Sequence, residues 1–502
     1  MTESRRRLSV LRSPALAALP RLAVALVRMG YPRDPWRLLT VALPLLVRHG
    51  AGLDTVLQIA ARRFGGRIAV VGGAGEVSYR ALWARAVKIA RQLDAGVDRA
   101  RSTARPSRVL ILSGPAQPPI SAIAGALRAG FDAVPVDASA NAMEIDRLIA
   151  AQNIVAIVGQ ATQLNSMGAR GFAGVLLDPE ASADAPPGRW DGVRGRSGAL
   201  VLMTSGSTAG RRAVPHPRTD WRRLAGQLAL FVASGMRNRT ATVVLTPLHH
   251  GHGLSAVAGG LLSGSALVLG EGWSTAEVVD AIVRLRPKTL TLVPTQLARL
   301  LRDGAPIDLG SGSRIVAGSG PLSPELCAEA IASWGPVLIN CYGSTEMGTL
   351  TIAGPRELVR QPGSVGRPVP GVSLRVVDGC ERTVPNGVVG EIVVGTGKLW
   401  TKTHDTGLIS RDGLLRVTGR SDRTVVSGGE NVALTLVERA IEAHPSVARV
   451  DARGAADAEF GQIVTASVVL AAGARLTEAE LRSWLAPRLA RHEIPRRIVF
   501  GR

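Results

Sequence analysis

Cysteine, aromatic residues and long apolar runs are all scarce in this chain of 502 residues. The three cysteines, Cys327, Cys341 and Cys380, form neither a disulfide framework nor a metal-binding spacing, which favours a reducing compartment. Aromatic residues make up 3% of the chain, so basic and aromatic residues do not interleave as they do on nucleic-acid-binding surfaces. No run of about 18 uncharged apolar residues occurs, which argues against a membrane-spanning helix. We therefore predict a cytoplasmic protein without a nucleic-acid partner.

Lysine is also rare, because only Lys88, Lys288, Lys398 and Lys402 occur against a total of 60 lysines and arginines. The formal net charge is +21, and the first 50 residues contribute +7 of it, from nine arginines against Glu3 and Asp34. Spaced arginines interrupt the apolar residues there, so a signal peptide is not predicted. Two interpretations of this basic apolar extension, residues 1–52, stay open. It either contacts an anionic membrane surface peripherally or packs on its own domain.

The remaining chain is rich in apolar residues, and its sequence pattern is typical of a multidomain α/β protein. A chain of this length normally divides into two or more domains. Short apolar segments, such as 108–112, 133–136, 242–245, 266–269, 289–293 and 314–317, alternate with helical patterns. This alternation predicts largely parallel sheets covered by helices. A β-rich stretch follows residues 363–371, and a compact strand–helix unit follows Gly419.

A loop rich in serine, threonine and glycine follows an apolar strand pattern at residues 202–214. Its central residues are Thr204, Ser205, Gly206, Ser207 and Thr208. Backbone N–H groups and hydroxyls in such a loop converge on a phosphate group, and a cation beyond them balances the charge. Loops of this composition are also common without a ligand, so both interpretations stand on the loop alone.

Further segments, in order along the chain, resemble the adenylate-forming superfamily, and specifically bacterial fatty-acyl-CoA ligases. The loop resembles the family pattern Thr-Ser-Gly-[Ser/Thr]-Thr-Gly-x-Pro-Lys-Gly, and it matches at residues 204–208. The positions that follow depart from that pattern, with Ala209 for Gly, Arg211 for Pro, Arg212 for Lys and Ala213 for Gly. Arg212 retains a positive charge for a phosphate group, but its planar guanidinium is not equivalent to an ammonium.

The segment Tyr342-Gly-Ser-Thr-Glu346 carries the most specific part of the resemblance. The family uses this tyrosine to stack on adenine, this threonine, here Thr345, to bind the α-phosphate, and this glutamate to hold Mg²⁺. An aromatic face, a hydroxyl donor and a hard carboxylate oxygen suit those three tasks. The resemblance therefore implies ATP and Mg²⁺, with Thr345 and Glu346 in the chemistry and Glu346 on the metal.

Two other segments resemble binding elements of the large family domain. Residues 247–254 look like the floor of the acyl pocket, with His250 at its rim, and a packed structural histidine is the alternative. Residues 317–321 resemble the loop beside adenine, which implies roles for Gly318, Ser319 and Gly320.

Segments towards the carboxyl terminus resemble the ribose site, the hinge and the small domain of the family. The resemblance implies that Asp405 and Arg420 contact ribose, although His404 replaces the usual glycine. It places the hinge at Asp422 and assigns Gly428 and Gly429 to the loop used for thiol transfer. The expected fold is α/β. It has a large N-terminal domain of layered α/β sheets plus a β-subdomain (53–421), and a small α+β C-terminal domain (422–502) joined by a hinge.

The family's small domain normally carries a Gly-Lys motif whose lysine assists adenylation. No lysine follows Lys402 here, and the motif is expected about ten residues beyond the end of the printed sequence. We expect an enzyme that activates a fatty acid with ATP to acyl-AMP and transfers it to CoA, with adenylation impaired. The alternatives are a ligase that feeds a carrier protein, a degenerate member that binds nucleotide, acyl ligand or a partner without turnover, and an enzyme for non-fatty acids.

Overall fold

The computed structural model describes residues 38–72, 75–97, 106–114, 119–140, 142–179, 198–206, 210–216, 218, 221–237, 239–396, 399–420, 424–471 and 473–501. Most of the predicted extension at residues 1–52 lies outside these ranges, and so do Ser207, Thr208 and the hinge residue Asp422. Within the described residues, no helix is both long enough and apolar enough to span a bilayer.

The first sheet has nine strands in the order β15-β14-β13-β12-β11-β9-β10-β1-β2. Its neighbours from β13 to β1 pair in parallel, whereas β2, β14 and β15 pair antiparallel at the two edges. The strands are β1 (Ile68–Gly72), β2 (Gly75–Ser78), β9 (Ala241–Val244), β10 (Ala266–Leu269), β11 (Thr289–Leu292), β12 (Arg314–Ala317), β13 (Leu338–Ser344), β14 (Gly348–Ala353) and β15 (Arg367–Pro368).

The second sheet has six strands in the order β6-β5-β3-β4-β7-β8, and it is parallel except for the β7–β8 hairpin. Its central strands are almost continuously apolar and buried, as expected for a parallel sheet covered on both faces. The strands are β3 (Arg108–Ser113), β4 (Asp132–Asp137), β5 (Ile154–Val158), β6 (Val175–Leu177), β7 (Leu200–Gly206) and β8 (Gly210–His216).

Helices cover both faces of the two sheets and give a five-layer α/β/α/β/α arrangement. Four helices share one apolar core with the inner faces of both sheets, namely α2 (Leu53–Phe64), α3 (Tyr79–Gly96), α4 (Ile120–Arg128) and α8 (Gly251–Ser263). The outer face of the first sheet packs against α9 (Thr275–Leu285), α10 (Pro294–Arg302) and α11 (Pro324–Trp334). The outer face of the second sheet packs against α5 (Ala142–Gln152) and α6 (Ala161–Ala169).

Peripheral helices complete the large domain. A π-helical turn (Leu38–Ala42) leads into α1 (Leu43–His49), which packs on α2 through a small apolar cluster. The other two are α7 (Trp221–Ala233), beside α8, and α12 (Pro355–Arg360). Caps fix several helix starts: the Ser274 hydroxyl accepts the N–H of Glu277 while the Glu277 carboxylate accepts the N–H of Ser274.

A four-stranded antiparallel sheet forms the β-subdomain, and a five-stranded sheet forms the small domain. The β-subdomain strands are β16 (Ser373–Val377), β17 (Gly390–Thr396), β18 (Leu399–Ile409) and β19 (Leu415–Arg420). The small domain comprises β20 (Thr424–Ser427), β21 (Glu430–Ala433), α13 (Leu434–Glu442), β22 (Val447–Asp457), β23 (Gly461–Leu470), α14 (Glu478–Leu485) and β24 (Arg497–Gly501). It has its own apolar core. The predicted fold class, a layered α/β domain with a β-subdomain and a small α+β domain, is confirmed.

Candidate active site

A cleft of about 2130 Å³ lies between the large and small domains. Residues at or just after the carboxyl ends of β4, β9, β11, β12 and β13 line it. This edge is where open α/β sheets bind their ligands, because the loops that follow parallel strands converge there. Of the residues predicted for the site, the described ones that line this cleft are Thr204, Arg212, His250, Ser319, Gly320, Tyr342, Thr345, Glu346, Asp405, Arg420, Gly428 and Gly429.

The described part of the predicted phosphate loop, Thr204 to Gly206, forms the end of β7, which pairs with β8. Thr204 lies opposite Arg212 in this hairpin, Ser205 opposite Arg211, and Gly206 opposite Gly210. The Thr204 hydroxyl is 3.4 Å from the carbonyl oxygen of Arg212, and the Arg212 side chain is exposed. The antiparallel pairing therefore places a hydroxyl and a cation at the same level of the hairpin.

The turn between β13 and β14 carries Thr345 and Glu346 into the cleft. The Ser344 hydroxyl accepts a hydrogen bond of 3.2 Å from the N–H of Met347, which closes the turn. Thr345 is half-buried, whereas the Glu346 carboxylate is exposed and accessible to a ligand. An exposed carboxylate in the same cleft as the Thr204 hydroxyl fits the oxygen donors that Mg²⁺ prefers.

Asp405 joins a polar network with Tyr342 and Arg420. The Tyr342 hydroxyl donates to Asp405 Oδ2 at 2.5 Å, and Arg420 Nη1 lies 3.0 Å from Asp405 Oδ1. Burial, together with the negative charge of Asp405, raises the pKa of Tyr342 far above its usual range, so the hydroxyl stays protonated. The aromatic ring of Tyr342 and both residues predicted to contact ribose are therefore held in one hydrogen-bonded group.

His404 occupies a backbone conformation that favours glycine. Its φ is +60°, in the left-handed region where a side chain is strained. This explains physically why the family pattern has glycine at this position. The His404 ring lies near Glu391, with Nδ1 3.7 Å from Oε1. The strained residue still leaves Asp405 within hydrogen-bonding distance of its two partners.

The loop after β12 passes over His252, a half-buried histidine without a role predicted from the sequence. A Cβ atom on Gly318 would lie 3.0 Å from the His252 ring and 2.6 Å from the Cys341 sulfur, so a larger residue there would have to displace one of these side chains. Burial lowers the pKa of His252 to about 4, and the imidazole is neutral at physiological pH. The sequence signal for His252 was its place in the His-rich segment 249–252.

The small domain contributes a glycine hairpin to the cleft. Gly428 and Gly429 form the two-residue turn between β20 and β21, with φ of +61° and +90°. A Cβ atom on Gly429 would lie 3.0 Å from the carbonyl oxygen of Ser319, so this turn touches the loop after β12. The next residue, Glu430, pairs with the large domain, where its Oε1 is 2.7 Å from His250 Nε2.

Two acidic residues near His250 were also not anticipated from the sequence. Asp137 is the last residue of β4 and lines the cleft, and Glu271 lies two residues after β10. Burial and the negative charge of Asp137 raise the pKa of Glu271 to about 7, although the charge of His250 opposes the shift. Only the tertiary structure brings these residues together, because β4 and β10 belong to different sheets.

The comparisons with known proteins agree with this architecture. Residues 57–401 match the family model of AMP-binding enzymes, and residues 436–502 match that of the AMP-binding enzyme C-terminal domain. The chain therefore belongs to the AMP-binding, adenylate-forming enzyme family.

Curated relatives and solved structures illustrate the range of this family. The chain is 28% identical over 326 residues to a fatty acid–[acyl-carrier-protein] ligase, ScoC, from Streptomyces coeruleorubidus, covering 60% of this chain and 63% of that one. It is 31% identical over 301 residues to the indoleacetate–CoA ligase of Aromatoleum aromaticum, covering 55% of each chain. These two matches thus span less than two thirds of either relative. The amide bond synthetase McbA from Marinactinospora thermotolerans superposes with a TM-score of 0.76 at 26% identity, over 90% of this chain and 96% of that structure.

Proposed function

We propose that this protein activates an apolar carboxylic acid, of the fatty-acid class, with ATP and transfers the acyl group to the thiol of CoA. One observation supports this proposal most directly. The same cleft is lined by Thr204, Arg212, Glu346 and Asp405 of the large domain and by Gly428 and Gly429 of the small domain. The cleft thus combines groups suited to phosphate, metal and ribose with the small-domain hairpin that the family uses for thiol transfer. Domain limits of 53–421 and 422–502 are part of this proposal.

The acyl group would occupy the apolar part of the cleft. Leucine side chains from several elements line it, namely Leu53, Leu127, Leu200, Leu202, Leu224, Leu230 and Leu254. An apolar lining favours an apolar acyl group, because burying its surface contributes about 25 cal/mol per Å². Peripheral contact with an anionic membrane through residues 1–52 stays a separate prediction, which bears on how such an acid would be delivered.

In the first step, a carboxylate oxygen attacks the α-phosphorus of ATP, a new P–O bond forms, and pyrophosphate leaves. Thr204, Thr345 and Arg212 would bind the phosphate oxygens, while Asp405 and Arg420 hold the ribose. Glu346 would hold Mg²⁺, which when bound offsets the negative charge of the triphosphate. These preorganised donors stabilise the charge that develops during attack.

In the second step, the thiol sulfur attacks the acyl carbon, AMP leaves with the bonding electron pair, and the thiol proton passes to the phosphate or to solvent. The small domain is already docked with Gly429 against the Ser319 loop. Because both turn residues lack side chains, an extended thiol-bearing group can approach the cleft beside the hairpin. The docked orientation of the small domain therefore supports assigning the observed domain arrangement to the thiol-transfer step rather than to the adenylation step.

A panel of acids tested for ATP-dependent pyrophosphate release addresses the proposal directly. We expect release with medium or long apolar acids, and we expect Glu346→Gln to lower it at least about 100-fold, because the charged metal ligand is lost. Glu329→Gln is the matched control, since Glu329 is an exposed carboxylate on α11 away from the cleft. Undiminished release by Glu346→Gln would contradict the metal assignment.

Two other functions remain as specific alternatives with distinct outcomes. The relative named as a fatty acid–[acyl-carrier-protein] ligase favours a carrier-protein thiol as acceptor, in which case acyl-AMP would react with a phosphopantetheinylated carrier but not with CoA. The departures at Ala209, Arg211, Arg212 and Ala213 favour a binder without turnover. Nucleotide binding without pyrophosphate release from any acid would support that second alternative.

A further inference from the structure

Three side chains with metal-binding atoms meet where the two domains touch. His249 and His250 precede α8 on the large domain, and Glu430 begins β21 on the small domain. One ligand atom from each of the three residues lies within 4.8 Å of the others. The two imidazole rings are 4.1 Å apart between centroids and tilted by 52°, so their nitrogen atoms can point to a common position.

We propose that His249, His250 and Glu430 bind a Zn²⁺ ion across the domain interface. Two imidazoles and one carboxylate form a donor set typical of zinc sites that keep a fourth position for water. Ligands about 2.1 Å from a tetrahedral zinc ion lie roughly 3.4 Å apart, so small side-chain rotations bring the observed spacing to the required one. Mg²⁺ is disfavoured here, because it selects oxygen ligands.

The cluster is also accessible to an ion, and neutral imidazoles together with a carboxylate supply all the donor atoms that the site needs. The side chains of His250 and Glu430 are 32% and 31% exposed, which leaves a route for an ion from solvent.

Binding at this position would couple the metal to the arrangement of the domains. The large domain supplies two ligands and the small domain supplies the third, so the complete site exists only in the docked orientation. A ligand that binds one state selectively stabilises that state in proportion to its concentration and affinity. Zinc would therefore hold the Gly428–Gly429 hairpin in the cleft and slow any step that requires the small domain to move away. This inference goes beyond the proposed function and does not depend on it.

Calorimetric titration of the full-length protein with Zn²⁺, without acid or ATP, tests the site. We expect one ion per chain, and at least a tenfold weaker affinity for His249→Ala and for Glu430→Gln. Glu459→Gln is the matched control, because it removes a different ion pair across the interface, in which Arg302 Nη1 lies 3.6 Å from Glu459 Oε2. His444→Ala controls for the loss of a histidine, since its ring packs on Trp484. Both control variants should bind zinc as the parent does.

A second measurement guards against loss of folding in the variants. Co²⁺, a spectroscopic substitute for zinc, should give the weak absorption of nitrogen and oxygen ligands with the parent protein. Zinc should also raise the melting temperature of the parent but not of His249→Ala. Equal zinc affinity in the parent and both cluster variants, or an intense thiolate-to-cobalt absorption band, would overturn the proposal. Because pyrophosphate release is measured separately, failure of the zinc site and failure of the ligase function are distinguishable.

Discussion

Glu271 lies two residues after β10, where burial and the charge of Asp137 raise its pKa to about 7 from its ordinary value of 4.5. The folded protein therefore retains this proton over a pH range in which the unfolded chain has lost it. The contribution of Glu271 to stability therefore falls as pH rises from about 4.5 to about 7, because the unfolded state binds fewer protons in that range, and it changes no further above pH 7. Glutamine in place of Glu271 mimics the protonated side chain and removes this loss.

Glu271→Gln is thus expected to be more stable than the parent at pH 8 by about 2 kcal/mol, discounted for partial solvent exposure, and equally stable near pH 4.5. Urea unfolding at several pH values checks the prediction. Glu329→Gln serves as the exposed control and should show no such trend. A stability difference between Glu271→Gln and the parent that does not vary with pH would show that Glu271 is not titrating in this range.

His404 is a second residue for which the structure gives a physical meaning to a difference from the family pattern. The sequence comparison identified a histidine where glycine is usual, and the structure adds that the backbone there has φ of +60°. The position requires a left-handed conformation, which is strained for a residue with a Cβ atom. The neighbouring Asp405 nonetheless keeps its contacts with Tyr342 and Arg420.

Among the secondary-structure elements that line the cleft, the β20–β21 hairpin is the one whose conformation follows most directly from the sequence. Two glycines in succession predict a tight two-residue turn, and the structure shows positive φ at both. The strands and helices themselves were predictable from apolar periodicity: the segment at 314–317 matches β12, and the one at 108–112 matches β3 within one residue. The order of the strands within the sheets was not predictable from the sequence, because β10 pairs with β1, which lies almost two hundred residues earlier in the chain.

Gly429→Ala should slow acyl transfer from preformed acyl-AMP to CoA by at least about tenfold. The added Cβ would lie 3.0 Å from the Ser319 carbonyl oxygen and would push the small domain away from the cleft. Gly473→Ala is the matched control, since Gly473 also has positive φ, at +76°, but a Cβ there meets nothing within 4 Å. Transfer that is equally fast in both variants would mean that contact with the Ser319 loop does not matter for this step.

For the whole molecule, we propose that the observed arrangement of the domains favours the thiol-transfer step over the adenylation step. The small-domain residues that line the cleft include Gly428, Gly429, Glu430 and His492 but no lysine among those described. A cation that stabilises the adenylation transition state commonly contributes about 10²-fold or more in rate. The exposed Arg212 of the large domain is a cation that already lines the cleft in this orientation.

With the small domain docked as observed, acyl-CoA is expected to form about 100-fold faster from acyl-AMP and CoA than from acid, ATP and CoA. Single-turnover assays from both starting mixtures measure this ratio. Equal rates would show that Arg212 or another arginine supplies the cation in full. No transfer even from acyl-AMP would instead favour a protein that binds its ligands without turnover.

The sequence by itself determined the family, the fold class and the candidate groups for phosphate, metal and ribose, because these depend on local motifs and on periodic burial. Tertiary structure alone decided which of them share a cleft. It also brought together groups that are distant in sequence, such as His250 with Glu430 and Glu271 with Asp137. The physical reason is that pKa shifts, ion pairs and metal sites depend on distance and burial. The docking of the small domain and the pairing of separate strands determine these distances and this burial. Neither the docking nor the pairing can be predicted from the spacing of residues along the chain.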